Sequence, residues 1–104
     1  MIFLISVILF LGLSQSNCEE KFLTSSISPK HKYTVEAYRT EPGATVDFSV
    51  KVYLIKDKKI LIYNAYHEED AIISWINDDI VLINNKKINI TKGETFDWRK
   101  GIVK

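Results

Sequence analysis

The densest group of side chains that could do chemistry is His67-Glu68-Glu69-Asp70. In an extended chain His67 and Glu69 project from the same face, because successive side chains alternate. An imidazole and carboxylates are suitable ligands for divalent metals, and Asp78 or Asp79 could approach from the next turn. The cluster therefore offers a candidate metal site at His67 and Glu69. The alternative is that the acids only solvate a strand end and keep its edge from pairing.

Nucleophilic catalysis has no support among the residues. Cys18 follows an apolar N-terminal segment, the two histidines are His31 and His67, and no serine occupies a strand-to-helix elbow. A carboxylate pair for glycoside hydrolysis could be chosen from Asp47, Glu68 and Asp97, but acids this common would match by chance. We therefore expect a protein that is not an enzyme and that holds no cofactor.

Aromatic residues are frequent for so small a chain, with five Tyr, five Phe and two Trp among 104 residues. Rings bury much area and favour edge-to-face packing. Four are expected in the core: Phe48, Tyr63, Trp75 and Trp98. Three could equally pack in the core or form a recognition surface: Tyr38, Tyr53 and Tyr66. The second possibility rests on the large share of interface energy that Tyr, Trp and Arg carry.

The elements that must position these residues are indicated by apolar alternation. Residues 46–54 place apolar side chains at every second position, the period of a strand. Asp57-Lys58-Lys59 then reverses the chain, and residues 60–67 run back, which predicts a central antiparallel hairpin. Asn84-Asn85 predicts a tight hairpin turn between two further short strands, because Asn tolerates positive φ.

Further strands are predicted over residues 33–40, 71–77 and 91–99. Turn residues separate the strands at short intervals, and no segment shows a sustained helical period. We predict an all-β fold, a small antiparallel sandwich or meander barrel of about six strands, preceded by an N-terminal signal or anchor helix.

The apolar segment over residues 1–13 is too short for the roughly 20 residues of a membrane-spanning helix and fits the apolar part of a signal peptide. Cys18 resembles the lipid-modified cysteine of bacterial lipoproteins. Cleavage after Ser16 and a retained anchor are the alternatives. We predict a signal peptide over residues 1–18 that ends at a lipidated cysteine, a polar tether over 19–28 and a β domain over 29–104.

Charge and cysteine content argue against a nucleic-acid-binding protein and against a domain held together by disulfides. The formal net charge is +1, and no block of five like charges occurs, so the chain has no footprint for nucleic acid. A single cysteine cannot form a disulfide within one chain.

An ordered set of motifs spans nearly all of the region after the leader: Ser28-Pro29-Lys30-x-Lys32-Tyr33-Thr34-Val35, Pro42-Gly43-Ala44-Thr45-Val46-Asp47, Ile62-Tyr63-x-x-Tyr66-His67-Glu68, Trp75 with Asp78-Asp79, Ile83-Asn84, and Thr95-Phe96-Asp97-Trp98-Arg99. This order resembles a family of small exported or membrane-anchored proteins of Gram-positive bacteria that is catalogued as a domain of unknown function. The resemblance implies a cell-envelope location and a β-rich fold, and nothing catalytic.

The expected function is that of a non-catalytic extracytoplasmic lipoprotein domain. The lipid would hold it on the outer face of the cell membrane, and its partner would be an envelope protein or polymer. A secreted protein is the alternative location. The alternative function is a small metal- or ligand-binding protein that uses the His67 acidic cluster.

Overall fold

The computed structural model describes residues 19–41 and 47–103, and the predicted signal or anchor helix and Cys18 lie outside them. Nine strands form within these ranges: β1 Glu19–Ile27, β2 Thr34–Glu41, β3 Ser49–Ile55, β4 Lys59–Tyr66, β5 Ile73–Trp75, β6 Ile80–Ile83, β7 Lys86–Asn89, β8 Thr95–Asp97 and β9 Gly101–Val103. The described residues contain no helix, which confirms the all-β prediction. Among them there is accordingly no helix long and apolar enough to cross a bilayer.

The strands form two sheets, and their number exceeds the expected six because β1 and β9 form where no strand is predicted. The larger sheet has the order β1-β2-β3-β4-β8-β9 and the smaller one β5-β6-β7. Antiparallel pairing holds for the described strand pairs with one correction: β8 lies parallel to β4. The small sheet forms the long crossover connection that a parallel pair requires.

The central hairpin is confirmed. β3 and β4 pair antiparallel, with Val52 opposite Tyr63. Val50, Val52 and Leu54 are buried, as their alternation predicts. A register shift next to Val52 marks a β-bulge, where β4 has one residue more than β3. The alternation of the β4 side chains between the two sheet faces is interrupted at that residue.

Both sheets contribute to one core. Val35, Val52 and Tyr63 of the large sheet are fully buried together with Val81 and Ile88 of the small sheet. Because strand side chains alternate, the opposite face of the large sheet is directed away from this core. We call it the outer face.

The region expected as a tether, residues 19–28, instead forms an edge strand. β1 pairs with β2 from Glu19 opposite Glu41 to Ile27 opposite Thr34, with one β-bulge at Leu23, between Phe22 and Thr24. Leu23 packs against the core, and Ser28 is buried. The Ser28 hydroxyl accepts the backbone N–H groups of residues 32 and 33, at 2.8 and 3.0 Å. Polar composition is compatible with a strand here because an edge strand is covered on one side only.

Two local predictions have opposite outcomes. Asn84 and Asn85 take φ of 47° and 71° in the β6–β7 turn, which confirms the tight hairpin. The prediction of Trp98 as a core residue is wrong, since this side chain is 50% exposed. β8 ends at Asp97, whose carbonyl accepts the Lys100 N–H at 2.8 Å, and Trp98 therefore lies in a surface turn. Tyr63 is in the core as predicted, whereas Phe48 and Trp75 are half-buried.

Candidate functional site

The three tyrosines proposed for recognition lie on the outer face of the large sheet. Tyr53 lies between Val52 and Leu54, which are both buried on the core side. Tyr38 and Tyr66 each follow a buried alanine in the same way. The alternation of strand side chains thus directs all three rings away from the core.

Tyr38 and Tyr53 form a row of rings together with Phe22. We call this row of Phe22, Tyr38 and Tyr53 the aromatic ladder. The ring centroids of Phe22 and Tyr38 are 5.6 Å apart with an interplanar angle of 75°. Those of Tyr38 and Tyr53 are 5.6 Å apart at 74°. Both are edge-to-face pairs. Phe22 is 54% exposed, so the ladder presents apolar surface to solvent.

Lys59 lies over the ladder. Its ammonium is 4.4 Å from the ring centroid of Tyr38 and 5.2 Å from that of Tyr53, within reach of a cation–π interaction. The same ammonium donates to the Tyr38 hydroxyl at 3.2 Å, which raises the pKa of Lys59. A positively charged ammonium therefore lies over the ladder at neutral pH.

Acids hold the hydroxyl groups of the ladder. The Tyr38 hydroxyl donates to Glu36 at 2.8 Å, and the Tyr53 hydroxyl donates to Glu20 at 3.0 Å. Burial, followed by this bond to Glu20, raises the pKa of Tyr53 to about 12. Both rings are thus fixed at two points, by ring packing and by a carboxylate.

Tyr66 lies in a separate group at the end of the sheet, which we call the end cluster: Asp47, Tyr66, His67 and Trp98. The Tyr66 ring centroid is 4.0 Å from that of His67 and 5.5 Å from that of Trp98. The Tyr66 hydroxyl accepts the Asp47 N–H at 3.2 Å. The Trp98 N–H of the backbone donates to the carbonyl of Asn64 at 2.9 Å, which places the indole beside β4.

Within the end cluster, His67 and Asp47 form a close pair. His67 Nδ1 lies 2.6 Å from Asp47 Oδ2, and the Phe48 N–H donates to Asp47 Oδ1 at 2.8 Å. These two hydrogen bonds, in that order, lower the pKa of the Asp47 carboxyl. His67 takes a positive φ of 64°, so the chain bends directly after β4. Both side chains are largely exposed.

The residues suggested for a metal site have separate surroundings. His67 contacts Asp47, and Glu68 accepts hydrogen bonds from Tyr63 at 2.6 Å and Asn84 at 2.7 Å. Glu69 is exposed. Over residues 19–41 and 47–103, no group of three or more His, Cys, Asp or Glu side chains is placed to hold a metal ion.

The two aspartates that could have approached His67 lie elsewhere. Asp79 accepts from the Lys32 ammonium at 2.7 Å and from the Thr91 hydroxyl at 2.6 Å. Asp78 accepts the Lys30 N–H at 2.8 Å. Both aspartates therefore connect the β1–β2 loop to the small sheet.

The sequence matches one family model, that of a family of unknown function (DUF5412), over residues 1–101. The chain belongs to the DUF5412 family. This membership confirms the resemblance to a domain of unknown function. No curated protein and no solved structure matches the chain.

The DUF5412 protein also has a shallow cavity on the core side, between the β3–β4 hairpin and the loop after β7. It measures about 190 Å³ and is lined mainly by Leu54, Ile60, Ile62 and Ile90. Ligand pockets usually enclose roughly 300 to 1,000 Å³, so this cavity is small for a cofactor. The outer face is the stronger candidate site.

Sequence reasoning did not find two members of this outer-face site in the DUF5412 chain. Phe22 falls in the expected tether, and Lys59 falls in the expected turn. The spacing of Lys59 offers a signal, because it lies two residues before Leu61 and alternate residues of a strand share a face. Leu61 is opposite Tyr53 of the ladder. No comparable signal exists for Phe22, because the adjacent Leu23 obscures the alternation.

Proposed function

We propose that this protein is a non-catalytic domain displayed on the extracytoplasmic face of a Gram-positive cell membrane. A lipid on Cys18 holds it there, and it acts through contact with an envelope protein or polymer. The apolar leader and the position of Cys18 support the location. The aromatic ladder supports the mode of action.

The observation that carries the recognition role is the exposed ladder on the sheet face opposite the core. Tyr38 and Tyr53 are fixed by edge-to-face packing and by bonds to Glu36 and Glu20. Fixed rings lose little conformational entropy when a partner binds. Tyrosine combines a large apolar surface with a polar tip, which suits both protein and polymer contacts.

Membrane partition tests the anchor. In cells that express the full chain, Cys18→Ser is expected to move the protein out of the membrane fraction, because lipid attachment needs the thiol. Ser16→Ala is the matched control, since it changes a neighbouring residue and keeps Cys18. A Cys18→Ser protein that stays fully membrane-bound would contradict lipid attachment and favour a retained anchor.

Site-directed cross-linking tests the recognition surface. A photoreactive phenylalanine analogue at position 22 lies in the ladder, and the same analogue at position 72 replaces an exposed isoleucine outside it. We expect position 22 to yield a defined adduct with an envelope protein or glycan in intact cells. Identical adduct patterns from the two positions would show that the ladder is not the contact surface.

The second proposal is a small metal- or ligand-binding protein that uses His67 and nearby acids. The 2.6 Å pair of His67 and Asp47 favours it, because an imidazole and a carboxylate already converge at an exposed position. Titration with zinc, calcium and manganese tests it through the fluorescence of Trp98, which contacts Tyr66 in the same cluster. A response that disappears in His67→Ala supports binding, and no response to any of the three ions contradicts it.

A further inference from the structure

The fold leaves no linker between Cys18 and the large sheet. β1 begins at Glu19, and Glu19 and Glu20 already pair with Glu41 and Thr40 of β2. One residue of extended chain spans at most about 3.6 Å. An anchor that ends at Cys18 therefore holds one end of the sheet, rather than a flexible segment, close to the membrane.

The end that is held in this way carries the end cluster. Glu20 is opposite Thr40, Thr40 is opposite Ser49, and Ser49 is opposite Tyr66. These four residues form one row across four strands, and three strand spacings amount to roughly 14 Å. Trp98 is adjacent to the far end of this row, with its ring 5.5 Å from Tyr66.

The chemistry of this end suits the interface of a phospholipid bilayer. Trp and Tyr concentrate at that depth, because each ring has an apolar body and a polar edge. Trp98 is half exposed, and the exposed Arg99 and Lys100 follow it in the same turn. Arg99 is paired with Asp97 at 2.7 Å, which offsets its charge, and we attribute the affinity to the rings.

We propose that the end cluster rests on the bilayer, with Trp98 and Tyr66 in the interfacial layer. This inference rests on the proposed membrane attachment through residues 1–18. It adds an orientation, because the strands then rise from the membrane. Ser49 is opposite Tyr66, and Tyr53 lies four residues further along β3. At about 3.3 Å per residue, this part of the ladder lies roughly 13 Å above the end cluster and remains open to a partner.

Depth-dependent quenching of tryptophan tests the orientation. The full-length lipidated protein is reconstituted in vesicles of equimolar phosphatidylcholine and phosphatidylglycerol, with bromine placed near the headgroup end of the acyl chains. We expect quenching and a blue-shifted emission from Trp98. Trp98→Phe is the matched control, because it keeps Trp75. The Trp75 indole lies away from the end cluster, where it donates to the Ser26 hydroxyl at 2.9 Å.

The outcomes separate the two proposals. Quenching that is lost in Trp98→Phe supports the orientation. Equal quenching of both proteins while both are vesicle-bound overturns the orientation and leaves the anchor in place. Failure of the lipidated protein to bind vesicles at all overturns the anchor and the orientation together.

A second variant tests whether the direct connection of Cys18 to β1 orients the sheet. A flexible Gly-Ser segment inserted between Cys18 and Glu19 lowers the effective concentration of the end cluster at the bilayer. We expect it to reduce Trp98 quenching by about twofold or more while vesicle binding persists, since the anchor is unchanged. Undiminished quenching would overturn the claim that the direct connection of Cys18 to β1 orients the sheet.

Discussion

Glu68 holds the two sheets together, because donors from both sheets meet at its carboxylate. The Tyr63 hydroxyl of β4 donates to Glu68 at 2.6 Å, and the Asn84 amide of the β6–β7 turn donates at 2.7 Å. Burial, followed by the bond to Glu68, raises the pKa of the Tyr63 phenol above its ordinary value of 10.0. The phenol is therefore a permanent donor at neutral pH.

Tyr63→Phe should lower the free energy of unfolding by about 1 to 2 kcal/mol, because Glu68 loses a donor in a partly buried position. Tyr53→Phe is the control, since its hydroxyl bonds an acid nearer the surface, and its loss should be smaller. Urea denaturation at neutral pH measures both. Equal losses would contradict a specific role for the Tyr63–Glu68 bond.

The same variant has a signature at alkaline pH. The folded-state pKa of Tyr63 is raised, so its contribution to stability is fully present below pH 10 and is lost as the pH rises through the folded value. The wild-type protein should therefore lose stability more steeply above pH 10 than Tyr63→Phe does. Melting temperatures on either side of that pH provide the comparison.

Asp79 should make the stability of the fold depend on pH in the opposite direction, with a loss in acid. Hydrogen bonds from Lys32 and then Thr91 lower the pKa of its carboxyl from the ordinary 3.8. Its contribution is present above that value and is lost as the pH falls through the lower folded pKa. Asp79→Asn should lower the melting temperature at neutral pH, and the difference from wild type should disappear in strong acid. A difference that persists in strong acid would show that charge is not the cause.

Among the elements, the β6–β7 turn allows a matched comparison. Asn84 and Asn85 both have positive φ, so glycine relieves backbone strain at either position. Asn84 also bonds through its side chain: Oδ1 accepts the Ile72 N–H at 2.8 Å, and Nδ2 donates to Glu68 and to the Asp70 carbonyl. Asn85 is exposed.

Asn85→Gly should leave stability unchanged or raise it by a few tenths of a kcal/mol, about the size of a relieved turn. Asn84→Gly should lower it by about 1 to 3 kcal/mol, because three side-chain hydrogen bonds are lost, one of them to the part-buried Glu68. Chemical denaturation of the two variants under the same conditions gives the difference. Similar results for both would mean that Asn84 serves only the backbone of the turn.

Elements that depend on local rules could be predicted from the sequence. The alternation at Val50, Val52 and Leu54 and the turn at Asn84-Asn85 each need only neighbouring residues. The parallel position of β8 depends on β4, a partner far along the chain that no local pattern encodes. β1 pairs with the neighbouring β2, but its polar residues do not show the apolar alternation that predicts a strand. Edge position allows polar residues in β1, and the crossover through the small sheet sets the direction of β8.

For the molecule as a whole, the candidate site could be predicted only in part. Alternation places Tyr38, Tyr53 and Tyr66 on one face, but their division into a ladder and an end cluster depends on strand register. The bulge beside Val52 and the chain reversal after Asp97 decide which rings meet. Alternation with Phe96 predicts Trp98 in the core. The side chain is exposed instead, because β8 ends at Asp97 and the chain turns there.

Phe96 connects the parallel strand to both sheets. Its ring is stacked on Tyr63 at 5.2 Å, and the Lys86 ammonium of β7 lies 5.3 Å from its centroid. Phe96→Ala should lower the free energy of unfolding by about 2 to 4 kcal/mol, since a ring packed on the core is removed. Phe22→Ala is the matched control, because it removes an exposed ring and one edge-to-face pair, worth about 1 kcal/mol.

The shape of the transition decides whether the two sheets unfold together. They share one core and the Tyr63–Glu68–Asn84 bonds, so denaturation of Phe96→Ala should remain a single transition with an unchanged dependence on denaturant. Loss of β8 and β9 alone would appear instead as a second transition at low denaturant. That result would mean that the strands which position Trp98 fold independently of the core, and the end cluster would then lack the fixed geometry that membrane docking requires.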